Sequence, residues 1–352
     1  MMLFASPDAF QAALALLPPP DARARTAAAA RQATLTKPPG SLGRLEDIAL
    51  FFAAWQGHDR PRLDRVGAVV FAGNHGVVAR GVSAFPASVT AQMVANFRHG
   101  GAAINALCDA AGIDLTVVPI DLDRPTADFT VAPAMSETEC LAAINIGAAA
   151  VADRPDLVVL GEMGIGNSTA AAALCAASFG GSVADWVGPG TGIDAEGLLR
   201  KAAVVTAGLD HHRGHLSTPF EILRRLGGHE LAAIAGAVVA ARQRRVPVML
   251  DGFICCAAVA PIAAACPAIL DHCLVGHRST EPGHARLLDR FGLDPLLALG
   301  MRLGEASGAA VATMLVRAAL AAHGSMATFA EAGVAEAGAS AAGASAAGTS
   351  PG

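Results

Sequence analysis

The sequence lacks the features that mark several common classes of protein. Charged residues make up only 16% of its 352 positions, and the formal net charge is −5. It has no basic patch of the size that a nucleic-acid-binding protein needs, and its densest basic run, residues 242–245, is short. The N-terminal segment lacks the basic start and the clean apolar core of a signal peptide. We therefore expect a cytoplasmic protein that binds no nucleic acid.

The cysteines show neither a disulfide pattern nor the spacing of a metal site. There are seven of them, an odd number, and no two stand in a Cys-x-x-Cys arrangement. Most lie in apolar segments, which is typical of buried, reduced thiols. The histidines at positions 211, 212 and 215 lie close together, but their segment is polar, so an exposed surface is favoured over a metal site.

One uncharged segment, residues 252–270, has about the length of a membrane span. Pro261 and Pro267 interrupt it, and it is rich in Ala, Cys and Gly rather than Leu. Because proline removes a backbone hydrogen bond that lipid cannot replace, we interpret the segment as a buried helix leading to a strand, and we expect no membrane span.

Short apolar segments rich in β-branched residues recur along the chain, and Ala-rich helical stretches separate them. They lie at residues 66–71, 115–120, 157–160, 246–250 and 272–275. They are apolar throughout rather than alternating, which is typical of strands covered on both faces. The pattern predicts an α/β fold in which helices flank a parallel sheet, with ligands bound beyond the carboxyl ends of the strands.

The two ends of the chain differ from this pattern. Residues 1–60 are predicted to be helical, and so are residues from about 294 to 322, which should contain no strand. We expect residues 1–60 and 294–330 to form a small helical subdomain beside the α/β domain of residues 61–293. Residues 331–352 repeat Ala, Gly and Ser, which bury too little apolar surface to fold, so we predict that this tail is disordered.

The turn at residues 161–169 follows a predicted strand and opens a predicted helix. Free backbone N–H groups at such a position attract an anion, and Ser168 and Thr169 add hydroxyl donors. The glycine spacing matches neither a P-loop nor a dinucleotide fingerprint. A tight turn capped by Asn167 or Ser168 explains the same residues equally well.

Two further turns and one segment extend the candidate site. The glycine-rich loop at residues 188–194 is of a size to hold an anion, and Lys201 downstream offers a point charge for phosphate, although a surface lysine is the simpler interpretation. The turn at residues 73–76 holds His75, which is more often structural than functional when it stands alone. Residues 83–93 suit either a site for a planar heterocycle or ordinary core.

Glu305 stands on a glycine-flanked turn directly before a long apolar helix that has almost no other acid. A carboxylate there is either an acid favoured by the helix dipole or a base held at the edge of a dry pocket. Desolvation among Leu303, Ala306 and Ala309 would raise its pKa toward neutrality, where a general base works best. The residues alone leave these two interpretations evenly balanced.

Taken together, eight motifs in the same order resemble those of the nicotinate-nucleotide–dimethylbenzimidazole phosphoribosyltransferases. The resemblance spans about residues 30–322, and the motifs lie at residues 37–46, 73–77, 83–93, 161–169, 188–194, 251–253, 276–279 and 301–308. It implies a Rossmann-like sheet with a small helical domain drawn from both chain ends, a homodimer, and neither a metal nor another cofactor.

The resemblance also implies a reaction in cobalamin biosynthesis. The phosphoribosyl group of nicotinate mononucleotide passes to 5,6-dimethylbenzimidazole with inversion at the anomeric carbon, which gives α-ribazole 5′-phosphate and nicotinate. Two alternatives stay open at this stage. One is a phosphoribosyltransferase for another purine or benzimidazole base, and the other is a non-catalytic nucleotide-binding sensor.

Roles for individual residues follow from the matching motifs. Glu305 matches the general base of the family, and Glu162 is a second catalytic residue near the ribose. The residues that match the nucleotide and phosphate side are Gly164, Gly166, Asn167, Gly190, Thr191 and Lys201. Those that match the benzimidazole side are Ser83, Phe85, Gln92, Met93 and Leu303.

Overall fold

The computed structural model describes residues 4–153 and 155–335, and a six-stranded sheet lies at its centre. The strands are β1 Val66–Ala72, β2 Asp114–Pro119, β3 Leu157–Met163, β4 Val248–Leu250, β5 Cys273–His277 and β6 Pro295–Leu297. Their order in the sheet is β2-β1-β3-β4-β5-β6, and every neighbouring pair is parallel.

Fourteen α-helices surround this sheet in the described part of the chain. They are α1 Pro7–Ala15, α2 Ala22–Thr34, α3 Arg44–Gln56, α4 Ser88–Arg98, α5 Ala103–Ala111, α6 Glu137–Ala149, α7 Asn167–Phe179, α8 Ala195–His211, α9 Pro219–Leu226, α10 His229–Arg244, α11 Phe253–Ala265, α12 Pro282–Phe291, α13 Ser307–Ser325 and α14 Phe329–Ala332.

The two faces of the sheet belong to two separate apolar cores. In β1, Val69 and Phe71 point into a core that also contains α6, α7, α10 and α11. The intervening residues Ala68 and Val70 point into a second core with α3, α5 and α13. Because successive side chains of a strand face opposite sides, a strand with helices on both sides is apolar throughout.

The five strands predicted from the apolar segments are all present, and the prediction of an α/β fold with a parallel sheet is confirmed. The prediction that residues from about 294 to 322 contain no strand is wrong. Strand β6 pairs with the edge of β5, with Val275 opposite Pro295 and His277 opposite Leu297. A loop follows it, and α13 begins only at Ser307.

The two ends of the chain do approach each other, since α2 packs on α3 and α3 packs on α13. However, α3 and α13 also share the second core with the sheet, and α1 lies on the other side against α9 and α10. A separate helical subdomain formed by residues 1–60 and 294–330 therefore stays a prediction.

Most of the tail predicted to be disordered, residues 336–352, lies outside the described residues. The predicted start at residue 331 is wrong, because Glu331 and Ala332 form the end of α14. The side chain of Thr328 accepts a hydrogen bond from the N–H of Glu331, and the carboxylate of Glu331 accepts one from the N–H of Thr328. This reciprocal cap stabilises the short helix.

The uncharged segment at residues 252–270 contains α11, which is buried between α7 and α10 with Pro261 inside it. A short 3₁₀ turn then leads into β5. The interpretation as a buried helix leading to a strand is thus confirmed. Within residues 4–153 and 155–335, the helices are all too short or too polar to cross a membrane.

Helices α6 and α10 cross in direct backbone contact because each has a glycine at the crossing. A Cβ atom on Gly147 would lie 2.5 Å from the carbonyl carbon of Ala233. A Cβ on Gly236 would lie 2.7 Å from the carbonyl carbon of Ile144. Backbone atoms cannot rotate away as side chains do, so any larger residue forces the helices apart.

We predict that Gly147→Ala and Gly236→Ala each lower the free energy of unfolding by about 1–3 kcal/mol, the usual cost of overpacking. Gly324→Ala is the matched control, because Gly324 lies in α13 with nothing within 4 Å of the added Cβ. It should be neutral or should stabilise by about 0.5–1 kcal/mol. Urea denaturation measures all three variants, and equal stabilities would contradict the close crossing.

Candidate active site

The carboxyl ends of β3, β4 and β5 meet the start of α13 around one cavity. Its lining comes from the turn after β3, residues 190–191, the turn after β4, the segment after β5 and residues 302–305. These are the places where a parallel sheet binds ligands. The cavity therefore gathers most of the motifs that the sequence singles out, although they lie far apart along the chain.

A second, smaller cavity lies on the other side of the turn after β3. Lys201 reaches it from α8 with only 1% of its surface exposed. Its Nζ donates to the Oγ of Ser168 at 3.1 Å and to the carbonyl oxygen of Gly188 at 2.9 Å. Burial lowers the pKa of Lys201 to about 8, which Glu281 partly opposes. The surface interpretation of Lys201 is therefore wrong, and its third donor is available to an anion.

Glu281 fixes the loop beside this lysine, and sequence reasoning missed it. The backbone N–H of Gly190 donates to its Oε1 at 3.0 Å. Gly188 packs so close that a Cβ there would lie 3.0 Å from the carboxyl carbon of Glu281. Burial raises the pKa of Glu281, and the positive charge of Lys201 opposes the shift. A lone acid before a proline gives no local signal for such a role.

Glu305 lies on a turn of three consecutive residues with left-handed backbone conformation. The φ angles are +81° at Gly304, +62° at Glu305 and +66° at Ala306. Non-glycine residues pay about 1–3 kcal/mol each for this conformation, and such strain gathers at functional sites. Glu305 lines the larger cavity and is 6% exposed. Burial raises its pKa to about 7, and the carboxyl of Asp251 contributes to the shift.

Glu162 lies against the same turn at the end of β3. A Cβ on Gly304 would lie 2.5 Å from its Oε1, while the side-chain amide of Asn167 donates to its Oε2. Burial, together with the charges of Glu230 and Asp251, raises the pKa of Glu162 to about 8. Two adjacent carboxyl groups with raised pKa values in one cavity are a recognised mark of a functional site.

A buried histidine and glutamate in hydrogen-bond contact support the turn after β3. The Nε2 of His75 lies 2.6 Å from the Oε1 of Glu230, and both side chains are buried. The turn packs directly on the pair, since a Cβ on Gly164 would lie 3.0 Å from the same carboxylate oxygen. His75 lines neither cavity, so its position supports the structural interpretation.

The structure brings together the residues predicted for the nucleotide side. Gly164, Asn167 and Thr191 line both cavities, Gly190 lines the larger one, and Gly166 and Lys201 line the smaller one. A Cβ on Gly190 would lie 3.4 Å from the Nζ of Lys201, so these segments are in contact.

The predicted benzimidazole side is only partly assembled. Leu303 lines the larger cavity and is 55% exposed, and Ser83 lines the smaller one. Phe85 is 46% exposed and lines neither cavity. Gln92 and Met93 do not line either cavity. The reason is the orientation of α4. Its inward face carries Thr90, Val94 and Phe97, which leaves Gln92 exposed to solvent and Met93 at the edge of the second core.

Stability should depend on pH through Glu162. Its native pKa of about 8 exceeds its ordinary value of 4.5, so the folded protein keeps a proton that the unfolded chain releases between these values. Stability should therefore fall as pH rises through this range. We predict that Glu162→Gln, which cannot ionise, gains melting temperature relative to the wild type between pH 5 and pH 9.

The exposed Glu196→Gln on α8 is the control, and its melting temperature should follow that of the wild type at every pH. Scanning calorimetry across the range gives the comparison. A difference between Glu162→Gln and the wild type that stays constant from pH 5 to pH 9 would mean that Glu162 titrates normally.

Comparison with known proteins gives concordant results. A family model described as phosphoribosyltransferase matches residues 17–334. A protein of Novosphingobium aromaticivorans named nicotinate-nucleotide–dimethylbenzimidazole phosphoribosyltransferase is 67% identical over 95% of this chain and 99% of its own length. A protein of the same name from Cereibacter sphaeroides is 56% identical over 94% of this chain and 98% of its own.

Solved structures match as well. A crystal structure of CobT from Thermus thermophilus superimposes with a TM-score of 0.83 and 42% identity. It covers 90% of this chain and 100% of the solved chain. A second structure, of nicotinate-nucleotide–dimethylbenzimidazole phosphoribosyltransferase from the same organism, has a TM-score of 0.82 and 41% identity.

Proposed function

This chain belongs to the nicotinate-nucleotide–dimethylbenzimidazole phosphoribosyltransferase family, and we propose that it performs the family's reaction with Glu305 as general base. The phosphoribosyl group of nicotinate mononucleotide passes to 5,6-dimethylbenzimidazole, and nicotinate and α-ribazole 5′-phosphate leave. The product serves cobalamin biosynthesis. One observation carries the assignment: a buried ammonium and a buried carboxyl of raised pKa lie on opposite sides of one glycine turn.

The smaller cavity fits the 5′-phosphate of the nucleotide. It lies at the N-terminus of α7, where the helix dipole favours a negative charge. Lys201 adds a positive charge that already has two of its donors fixed by protein oxygens. A bound phosphate would raise the pKa of Lys201 that burial lowers, and the protonated lysine would in turn strengthen the binding of phosphate.

The ribose would then lie over the turn after β3, beside Glu162. With a pKa of about 8, this carboxyl is mostly neutral near pH 7 and able to donate a hydrogen bond. Asn167 donates to the other oxygen of the same carboxyl, which leaves Oε1 facing the turn of Gly304. Glu162 thus serves as a polar anchor for a ribose hydroxyl.

Glu305 supplies the proton acceptor for the base. One ring nitrogen of dimethylbenzimidazole attacks the anomeric carbon, and the other gives its proton to Glu305. The bond from carbon to the pyridinium nitrogen breaks, and its electron pair stays on that nitrogen, which becomes uncharged. Without the proton transfer the new nucleotide would hold a full positive charge on its imidazole ring. A carboxylate with a pKa of about 7 is suited to this transfer near neutral pH.

The remaining assignments rest on the resemblance. Leu303 is supported by its place in the wall of the larger cavity. Ser83 lines the smaller cavity that we assign to the phosphate, so its role in binding the base stays a prediction. The roles of Phe85, Gln92 and Met93 in binding the base stay predictions, as do the homodimer and the cytoplasmic location.

Incubation of the purified protein with nicotinate mononucleotide and dimethylbenzimidazole tests the reaction. We expect free nicotinate and α-ribazole 5′-phosphate in equal amounts by liquid chromatography. Faster turnover with adenine or unsubstituted benzimidazole would show that another base is the substrate. Binding of the nucleotide without any release of nicotinate, whatever base is added, would indicate a sensor instead.

We predict that Glu305→Gln lowers kcat by on the order of 10²–10⁴-fold, the usual contribution of a general base. Its affinity for nicotinate mononucleotide, measured by calorimetry, should stay close to that of the wild type, because the phosphate cavity is untouched. The wild-type rate should fall below a pH of about 7, where Glu305 becomes protonated. Glu196→Gln is the exposed control and should keep full activity. An unchanged kcat in Glu305→Gln would remove this residue from the mechanism.

A further inference from the structure

Asp251 lies directly behind the turn that carries Glu305. It follows β4, is fully buried and does not line the cavity. The backbone N–H of Ala309 donates to its Oδ1 at 2.9 Å, and the N–H groups of Gly308 and Ala306 also face this carboxyl and lower its pKa. These are the donors that the first turn of a helix leaves unpaired. An acid from a neighbouring strand therefore caps α13.

The helix start can reach Asp251 because glycine residues on both sides leave room for it. A Cβ on Gly161 of β3 would lie 2.8 Å from the Cα of Ala306. A Cβ on Gly276 of β5 would lie 2.6 Å from the Cα of Ala309. The backbone of α13 thus sits between the ends of two strands, with the carboxyl of Asp251 from the strand between them on its N–H groups.

The Asp251 carboxyl contacts the start of α13 next to a strained segment of backbone. Glu305 and Ala306 both have positive φ angles, and a non-glycine residue keeps that conformation only when its surroundings enforce it. The groups that face the Asp251 carboxyl include the N–H of Ala306, the residue directly after the proposed base. We propose that Asp251 is the positioning residue of this enzyme, whose carboxyl holds the left-handed turn so that Glu305 faces the cavity. The inference rests on the proposed role of Glu305 as general base.

Asp251 also acts on Glu305 through its charge. Burial is the main cause of the raised pKa of Glu305, and the Asp251 carboxyl is the second. Burial raises the pKa of Asp251 too, but the charge of His277 and the backbone N–H groups that face the carboxyl oppose this shift and favour the carboxylate. The other titratable or charged groups that face this pair are Glu162 on β3, His277 on β5, Cys255 on α11 and Arg302 on the loop before Glu305.

Two substitutions separate the effects of geometry and charge. Asp251→Ala removes every acceptor, so kcat should fall by about 100-fold, as expected when a catalytic group is displaced by about 1 Å. The KM for nicotinate mononucleotide should change little, because the phosphate cavity lies elsewhere. Asp251→Asn keeps an oxygen for the N–H of Ala309 but loses the charge. It should recover part of the rate, and the acid limb of its kcat/KM profile should move to lower pH.

The control is Asp289→Asn on the exposed face of α12, which makes the same chemical change and should leave rate and pH profile unchanged. A merely structural role for Asp251 would lower the melting temperature of both variants and leave the acid limb in place. If the acid limb of the kcat/KM profile of Asp251→Asn lies at the same pH as in the wild type, the proposal is overturned. This result decides the question even if Asp251→Ala fails to fold.

Glu305→Gln, measured in parallel, distinguishes failure of this inference from failure of the proposed mechanism. Loss of turnover in Glu305→Gln together with wild-type kinetics in both Asp251 variants would refute only the positioning role. Full turnover in Glu305→Gln would refute the base itself, and with it the role of Asp251. A large loss of turnover in Glu305→Gln, together with an acid limb moved to lower pH in Asp251→Asn, supports both the general base and the positioning role.

Discussion

The burial of three carboxyl groups at one edge of a parallel sheet is the constraint on which the whole site depends. Glu162 ends β3, Asp251 follows β4, and Glu305 lies on the turn that leads into α13. Each is withdrawn from water, which raises the pKa of every one of them, and the charge of Asp251 adds to the shifts of Glu162 and Glu305. The fold must supply enough packing elsewhere to tolerate this arrangement, and the two cores on either side of the sheet do so.

The same burial separates the carboxyl groups into different chemical roles. Glu162 has a pKa of about 8 and is mostly a neutral hydrogen-bond donor near pH 7, whereas Glu305, with a pKa of about 7, exchanges its proton easily there. Asp251 faces backbone N–H groups, which favour its ionised form. In the mechanism that we propose, Glu162 anchors the sugar, Glu305 accepts the proton and Asp251 holds the backbone between them. Environments that push the pKa values of neighbouring acids apart are a general means of assigning acid and base roles.

Most strands and part of the site could be predicted from the sequence. The other features could not, for physical reasons that differ from one to the next. Strand β1 is recognisable because both of its faces are buried, whereas β6 has three residues and exists only through its pairing with β5. Glu305 stands out by its glycine neighbours. Glu281 and Asp251 do not, because their partners are backbone N–H groups that only the order of the strands brings near. The position of Gln92 depends on which face of α4 the core selects.

A direct measurement of the pKa of Glu305 tests the central claim. Carbon-13 NMR of the side-chain carboxyl groups, followed across pH and assigned by the signal missing from Glu305→Gln, reports this value without any contribution from substrate. The account predicts a midpoint of about 7 for the Glu305 signal. A midpoint near 4.5, the ordinary value for glutamate, would show that the group is well hydrated and would contradict the account.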